Sequence, residues 1–202
     1  MTEKFKNKYR KKSLRIQGYD YSQNGAYFVT ICTKDKINYF GKIKNGEMVL
    51  SDIGNIVQKY WQEISNQFSF VQLDEFVIMP NHVHGIIIIN MDVGENTTGC
   101  RDAINRVSTN NGGVTGKNNP MMHNSISRFI RWYKGRCTFE IKKLHKNAMN
   151  RVSTNHDFAW QSRFYDRIIR DDVELNKIRE YIQINPREWD YDKDNIDNSE
   201  IT

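Results

Sequence analysis

Several features that would place this sequence in a specialised class are scarce or absent. Only three cysteines occur in 202 residues, and Cys32, Cys100 and Cys137 lie far apart with no CxxC pair. The sequence therefore predicts neither a disulfide framework nor a cysteine-based zinc site, and it suits a reducing cytoplasm. The longest aliphatic run, residues 86–89, is far shorter than the ~20 residues that cross a bilayer. We therefore expect a cytoplasmic protein that does not enter the membrane.

Acidic residues are fewer than basic ones over residues 1–187, but not at the C-terminal end. The formal net charge is +6, but residues 188–202 contain six acidic residues and one lysine, so residues 1–187 carry +11. A basic excess of this size favours a polyanionic partner such as nucleic acid, because phosphate neutralisation releases condensed counterions. Solubility alone is an equally good explanation of the charge.

Three segments differ in composition from the rest of the chain. Residues 4–15 carry seven basic residues, which indicates a basic N-terminal arm over residues 1–17. Residues 91–123 are rich in Asn, Thr, Gly and Ser, a composition typical of a flexible insertion. We expect one domain over residues 1–190, including the arm and the insertion, followed by an acidic tail over residues 191–202.

Local patterns predict strands mixed with helices. Aromatic and β-branched residues predict strands at residues 27–33, 39–43, 47–50, 76–79, 83–89 and 158–169, the second and third joined as a hairpin through Asn45-Gly46. Apolar residues at three-and-four spacing predict helices that begin at Ser51 or Asp52, at Ser125 and at Asp171. The last helix should end near Asn185, because Pro186 follows. These elements predict an α+β fold with helices packed on an antiparallel sheet.

Two histidines are the first residues that suggest chemistry. His82 and His84 alternate with Val83 on a predicted strand, so both imidazoles should project from the same face. A pair at this spacing can hold a metal ion, because each neutral ring offers one nitrogen in a fixed direction. A purely structural pair of histidines is an equally good reading of this spacing alone.

The helix that begins at Asp171 carries a second candidate pair. Its buried side should include Leu175, Ile178 and Ile182, and Tyr181 and Asn185 then lie together on its flank. A tyrosine at the edge of the core is the alternative interpretation of Tyr181.

Four motifs together resemble a known family. The motifs are Gly18-Tyr19-Asp20-Tyr21, Gly25-Ala26-Tyr27-Phe28-Val29-Thr30, Met79-Pro80-Asn81-His82-Val83-His84 and Tyr181-Ile182-Gln183-Ile184-Asn185-Pro186. In order and spacing they are similar to the REP-associated tyrosine transposases, which are HUH nucleases. The resemblance covers about residues 10–90 and 124–189 and does not extend to the predicted insertion or the acidic tail.

The resemblance implies a ferredoxin-like antiparallel sheet flanked by helices and a divalent-metal site. It assigns His82 and His84 to the metal, Tyr181 to nucleophilic attack on DNA, and Asn185 to the third ligand position. Mg²⁺ or Mn²⁺ would be the ion. Cleavage would leave a 5′-phosphotyrosine and a free 3′-hydroxyl on single-stranded, hairpin-forming DNA. A monomer is implied, with a homodimer as the alternative.

Several further residues are candidates for DNA contact. Basic side chains of the arm and of the second helix are expected to bind phosphates: Arg10, Lys11, Lys12, Arg15, Arg128, Arg131 and Lys134. Trp132 and Trp160 could stack on unpaired bases, although core packing explains them equally well. Tyr165 is a rival nucleophile, but it lacks an amide partner four residues later on a helix.

Two other functions stay open at this stage. A protein that binds DNA hairpins without cleaving them would need the basic surface but not the His, Tyr and Asn constellation. A metal-dependent phosphodiesterase that activates water would use His82 and His84 but leave Tyr181 structural.

Overall fold

The computed structural model describes residues 23–91, 125–148 and 158–195, together with the backbone of two short strands near the N-terminus, β1 (Lys4–Phe5) and β2 (Lys8–Tyr9). The predicted arm apart from those strands, the predicted insertion beyond Met91 and the tail beyond Asn195 lie outside the described residues.

Strands and helices alternate along the described chain. The strands that follow the N-terminal pair are β3 (Gly25–Cys32), β4 (Gly41–Lys44), β5 (Glu47–Leu50), β6 (Val71–Ile78), β7 (His82–Ile89) and β8 (Tyr165–Ile169). The helices are α1 (Asp52–Gln62), α2 (Ile64–Gln67), α3 (Ile126–Ala148) and α4 (Asp172–Ile184), with 3-10 helices at Lys34–Lys36 and Trp189–Tyr191. None of the described helices is long and apolar enough to cross a bilayer.

Four strands form the central sheet in the order β6-β7-β3-β8, and every neighbouring pair is antiparallel. Apart from the β4–β5 hairpin and the short helix α2, the elements β3, α1, β6, β7, α3 and β8 follow one another as β-α-β-β-α-β. This succession and this strand order are those of the ferredoxin-like fold. The predicted α+β fold with a ferredoxin-like antiparallel sheet is therefore confirmed.

Helices cover both faces of the sheet. On one face, α1 and α3 enclose the main core, in which Trp61 and Tyr133 pack edge to face against each other and on the apolar side chains of β3 and β7. On the other face, Ile178 and Ile182 of α4 pack on Ile86 of β7. The alternation of β7 thus directs His82 and His84 to the face that α4 covers.

Two of the helices begin at residues whose side chains accept hydrogen bonds from backbone N–H groups of the first turn. The hydroxyl of Ser51 accepts a bond from the Gly54 backbone N–H at 3.0 Å, so Ser51 is the N-cap of α1. Asp171 caps α4 by accepting from the Glu174 backbone N–H at 2.7 Å, and the Glu174 carboxylate accepts from the Arg170 N–H. The start of α4 predicted at Asp171 is confirmed.

Two strand predictions need correction. The strand predicted at 158–169 pairs in the sheet only over β8, whereas Trp160 makes one isolated bridge to Thr33. The ammonium group of Lys134 donates to the backbone carbonyls of Gln161 and Arg163. These two carbonyls therefore have hydrogen-bond partners without pairing in a sheet. The strand predicted at 76–79 begins earlier, at Val71, because pairing with β7 continues past an irregularity between Leu73 and Phe76.

Candidate active site

His82 and His84 stand side by side at the start of β7. Their ring centroids are 4.4 Å apart, and both side chains are buried, with exposed fractions of 0% and 3%. The two rings lie on the sheet face that also carries Thr30 and Phe28 of β3. A pair of imidazoles this close and this buried needs defined partners for its ring nitrogens.

Asn81 determines which nitrogen of His82 carries the proton. The amide nitrogen of Asn81 donates to the backbone carbonyls of Lys36 at 2.9 Å and of Asp194 at 2.7 Å, so its oxygen is oriented toward His82. That oxygen lies 2.8 Å from Nδ1 of His82, which must therefore be the donor. Nε2 of His82 is left with its lone pair, and it has no hydrogen-bond partner among the described residues.

His84 is held between a threonine and a tyrosine. Oγ1 of Thr30 lies 2.9 Å from Nδ1 of His84, and the hydroxyl of Tyr181 lies 3.2 Å from Nε2. Phe28 stacks on the ring at a centroid distance of 5.3 Å. This arrangement suits a ring that donates from Nδ1 to Thr30 and accepts from Tyr181 at Nε2.

Both imidazoles are neutral at ordinary pH. Burial, with smaller effects of Lys193 and Lys36, lowers the pKa of His82 to about 3. Burial and the neighbouring His82 ring lower the pKa of His84 well below its ordinary value. A neutral imidazole can offer a lone pair to a metal ion, whereas an imidazolium cannot.

Tyr181 reaches His84 from α4, and Asn185 is the C-cap residue of the same helix. Tyr181 is 37% exposed, and its ring meets the His84 ring at a centroid distance of 5.3 Å. Burial and the charge of Asp192 raise the pKa of Tyr181, against a hydrogen bond from Asn185 that lowers it. Asn185 is buried, and its side-chain oxygen has no hydrogen-bond partner within the described part of the chain. The tyrosine hydroxyl is thus placed at the site but not electrostatically activated there.

Ion pairs fix α4 over the sheet. The Arg179 guanidinium donates two hydrogen bonds to the Asp74 carboxylate of β6, one of them 2.9 Å long. Glu174, in the first turn of α4, pairs with Arg167 of β8. Because β6 and β8 are the two edges of the sheet, these contacts set the position of Tyr181 relative to β7.

Asp192 is a site residue that sequence reasoning missed. Its carboxylate follows the 3-10 helix Trp189–Tyr191 and lies 3.9 Å from Nε2 of His82. His82, His84 and Asp192 each offer one ligand atom, and these atoms lie within 4.8 Å of one another. The sequence placed Asp192 in an acidic tail, and the charge pattern held no signal that distinguished it from the neighbouring acids.

A cavity of about 440 Å³ opens beside Thr30, whose hydroxyl contacts His84. It is lined by Thr30, Lys36, Tyr165 and Arg167, among others. Tyr165, the rival nucleophile of the sequence analysis, is 52% exposed on β8, whereas the hydroxyl that meets His84 belongs to Tyr181. The cavity lining combines the cations Lys36, Arg167 and Lys193 with the carboxylates Asp166 and Asp194.

The predicted DNA contacts on α3 do not gather around the histidines. Arg128 and Arg131 belong to the helix on the opposite sheet face, where Arg128 lies over the Phe68 ring. Trp132 and Trp160 pack against the main core. Burial lowers the pKa of Lys134 to about 8, and its ammonium group is engaged by backbone carbonyls.

The remaining predicted contacts belong to the arm. Arg10, Lys11, Lys12 and Arg15 lie outside the described residues. A role in DNA binding therefore stays a prediction for all seven basic residues of the arm and of α3.

Comparison with known proteins finds one relative by sequence and two structures of similar fold. A Haemophilus influenzae protein, described as uncharacterized, is 35% identical over 190 residues, which cover 94% of this chain and 95% of the relative. Among solved structures, a REP-associated tyrosine transposase bound to a REP hairpin has a TM-score of 0.50 at 15% identity, covering 89% of this chain and 77% of that one. A candidate transposase of Deinococcus radiodurans has a TM-score of 0.42 at 13% identity, covering 85% and 96%.

A family model matches the part of the chain that includes α4. The model of the IS200-like transposases matches residues 119–185, which include α3, β8 and α4. The REP-associated transposase shares the ferredoxin-like fold. Over residues 119–185, about a third of the chain, the sequence is therefore similar to the IS200-like transposases, in keeping with the family resemblance of its motifs.

Proposed function

We propose that the chain is a divalent-metal-dependent endonuclease and strand transferase for single-stranded hairpin DNA, with Tyr181 as its nucleophile. The observation that carries the proposal is the contact between the Tyr181 hydroxyl and Nε2 of His84, at 3.2 Å, beside the paired rings of His82 and His84. A tyrosine that only packed at the edge of the core would not require a contact between its hydroxyl and His84.

His82, His84 and Asn185 suit a divalent cation. Nε2 of His82 and the side-chain oxygen of Asn185 are buried acceptors without partners among the described residues, and both rings are neutral. Buried acceptors of this kind are costly unless a donor or a cation meets them. A bound Mg²⁺ or Mn²⁺ would supply Lewis-acid polarisation of the scissile phosphate.

Tyr181 performs the covalent step. Its oxygen forms a bond to phosphorus while the bond from phosphorus to the 3′ oxygen breaks, and the proton lost by the phenol is balanced by the one that the 3′-hydroxyl gains. Nε2 of His84 has a single lone pair. A cation bound to that atom would therefore take the place of the hydrogen bond from Tyr181. The product is a 5′-phosphotyrosine, and attack by a 3′-hydroxyl on that linkage reverses the step and joins strands without an external energy source.

Single-stranded hairpin DNA is the proposed substrate. The structural relative is described as bound to a REP hairpin, and residues 1–187 carry a net charge of +11. The cavity that Thr30 lines has Lys36 and Arg167 in its wall, and Thr30 also contacts His84, so a nucleotide bound in the cavity would lie near the histidine pair. One chain supplies His82, His84, Tyr181 and Asn185, which supports action as a monomer.

The test is to incubate the protein with labelled single-stranded hairpins from the repeats that flank its own gene, with Mn²⁺ or Mg²⁺. We expect a covalent adduct on a denaturing gel that EDTA abolishes and that Tyr181→Phe reduces more than about a thousandfold, because phenylalanine has no nucleophilic oxygen. Tyr191→Phe, at a tyrosine that is 90% exposed, is the matched control and should form the adduct normally.

Three outcomes would contradict the proposal, each in its own way. Adducts that persist in Tyr181→Phe would move the nucleophile elsewhere. Tight hairpin binding without cleavage under any divalent ion would indicate a DNA-hairpin binding protein. Cleaved DNA with no protein attached would indicate a phosphodiesterase that activates water.

A further inference from the structure

Asp192 lies against the histidine pair although it comes from a different segment than the other site residues. It directly follows the 3-10 helix Trp189–Tyr191, and one carboxylate oxygen is 3.9 Å from Nε2 of His82. The Asp192 side chain is 6% exposed and the His82 side chain 0%. A carboxylate buried to this degree needs a cation or several donors.

The two facing atoms are both acceptors. Nδ1 of His82 donates to Asn81, so Nε2 presents a lone pair to Asp192. The other oxygen of Asp192 accepts a hydrogen bond of 2.7 Å from the Asp194 backbone N–H, which orients the second oxygen toward His82. A distance of 3.9 Å is too long for a hydrogen bond but leaves a cation within reach of both atoms.

The segment that carries Asp192 is held in place by several contacts. The Asn81 side chain donates to the Asp194 carbonyl at 2.7 Å, and the ammonium group of Lys36 donates to the Lys193 carbonyl at 2.9 Å. Lys36 also pairs with the Asp194 carboxylate at 3.1 Å. Asn81 thus orients the His82 ring and also anchors the segment that carries Asp192. The same side chain therefore helps to position both Nε2 of His82 and the Asp192 carboxylate that faces it.

We propose that the Asp192 carboxylate is a further ligand of the divalent cation at His82 and His84. The inference rests on the proposed function and deepens it, because it adds a charged oxygen from beyond the nucleophile helix to a site of two imidazoles and an amide. A hard, anionic ligand raises the affinity for Mg²⁺ and Mn²⁺ relative to softer ions. It also partly neutralises the ion next to the DNA phosphate.

The test measures binding of Mn²⁺ to the full chain in the absence of DNA, by titration calorimetry and electron paramagnetic resonance. Asp192→Asn keeps the size of the side chain and removes its charge, and we expect it to weaken Mn²⁺ binding at least about tenfold. Asp190→Asn makes the same change of charge at an exposed position of the preceding 3-10 helix and should leave the affinity within about twofold. Equal affinities of the wild type and Asp192→Asn would overturn the proposal.

A second measurement needs no variant and so does not depend on how Asp192→Asn folds. In wild-type protein grown with carboxyl-labelled ¹³C-aspartate, electron-nuclear double resonance of bound Mn²⁺ should show the coupling of a directly ligated carboxylate. Nitrogen coupling from histidine without any carbon coupling would reject Asp192 and leave the proposed function intact. If the protein shows no Mn²⁺ binding that depends on His82, as judged by comparison with His82→Ala, the metal centre of the proposed function is rejected. The Asp192 proposal is then rejected with it.

Discussion

Asn81 uses every polar atom of its side chain at the site. Its amide nitrogen serves the carbonyls of Lys36 and Asp194, and its oxygen serves Nδ1 of His82. An outer hydrogen bond of this kind fixes the tautomer and the orientation of a metal-binding imidazole. Asn81 therefore positions His82, through which it would act on the proposed reaction.

Replacing Asn81 separates its two roles. We expect Asn81→Ala to lower the free energy of unfolding by about 2–4 kcal/mol, because two buried carbonyls lose a donor. We also expect it to weaken Mn²⁺ binding by about 10- to 100-fold. Asn81→Asp also loses the donor but keeps an acceptor for Nδ1 of His82, so its Mn²⁺ affinity should stay closer to wild type.

Urea unfolding and Mn²⁺ titration of the two Asn81 variants check this prediction. If the Mn²⁺ affinities of Asn81→Ala and Asn81→Asp fall equally, the His82 tautomer is not what Asn81 supplies, and its role is only to anchor the chain.

Helix α1 approaches strand β7 closely on the face opposite to the histidine pair. Gly85 lies between His84 and Ile86 and faces α1, and a Cβ added there would come within 2.2 Å of the Trp61 ring. Gly135 on α3 has no atom of a neighbour within 4 Å of its added Cβ among the described residues. Replacing glycine by alanine would therefore cause a clash at Gly85 but would meet open space at Gly135.

We expect Gly85→Ala to lower the free energy of unfolding by about 1–3 kcal/mol or more, because Trp61 or β7 must move. Gly135→Ala should raise it by about 0.5–1 kcal/mol, because alanine loses less backbone entropy in a helix. Urea denaturation of both variants against wild type is the measurement. A Gly85→Ala variant as stable as wild type would mean that α1 and β7 do not pack as closely as described.

Over the whole molecule, buried groups that titrate at alkaline pH link stability to pH. Cys137 and Tyr133 of α3 are completely buried, and burial raises the pKa of each above its ordinary value, 9.0 for the thiol and 10.0 for the phenol. The unfolded chain therefore releases these protons at lower pH than the folded chain does. Their contribution to stability is fully present below about pH 9 and is lost as the pH rises toward the folded pKa values.

Replacing the Cys137 thiol by an apolar group isolates its part of this effect. We expect the free energy of unfolding to fall by up to about 1.4 kcal/mol per pH unit above about pH 9 for this thiol alone. Cys137→Val removes the titrating group, so its stability should fall less steeply between about pH 8 and 11. Parallel pH profiles for wild type and Cys137→Val, measured by urea denaturation, would show that the thiol also stays protonated in the unfolded chain or ionises in the folded one.

Patterns confined to one element were sufficient to predict much of the fold. The Asn45-Gly46 turn joins β4 to β5 with positive φ at both residues, as a tight hairpin requires. Ser51 begins α1 and Asp171 caps α4. Errors arose where the tertiary environment replaced the sheet ladder, as in the segment before β8, whose carbonyls are satisfied by Lys134.

The sequence by itself determined that His82 and His84 share a strand face and that Tyr181 and Asn185 share a helix flank, because residue periodicity depends only on the local backbone. Only the tertiary structure decided that α4 covers the histidine face while α3, with Arg128 and Arg131, packs on the other. It alone brought Asp192 to His82 across 110 positions of sequence. Such contacts depend on the packing of distant segments and on the buried hydrogen bonds that hold them, and no local pattern encodes these.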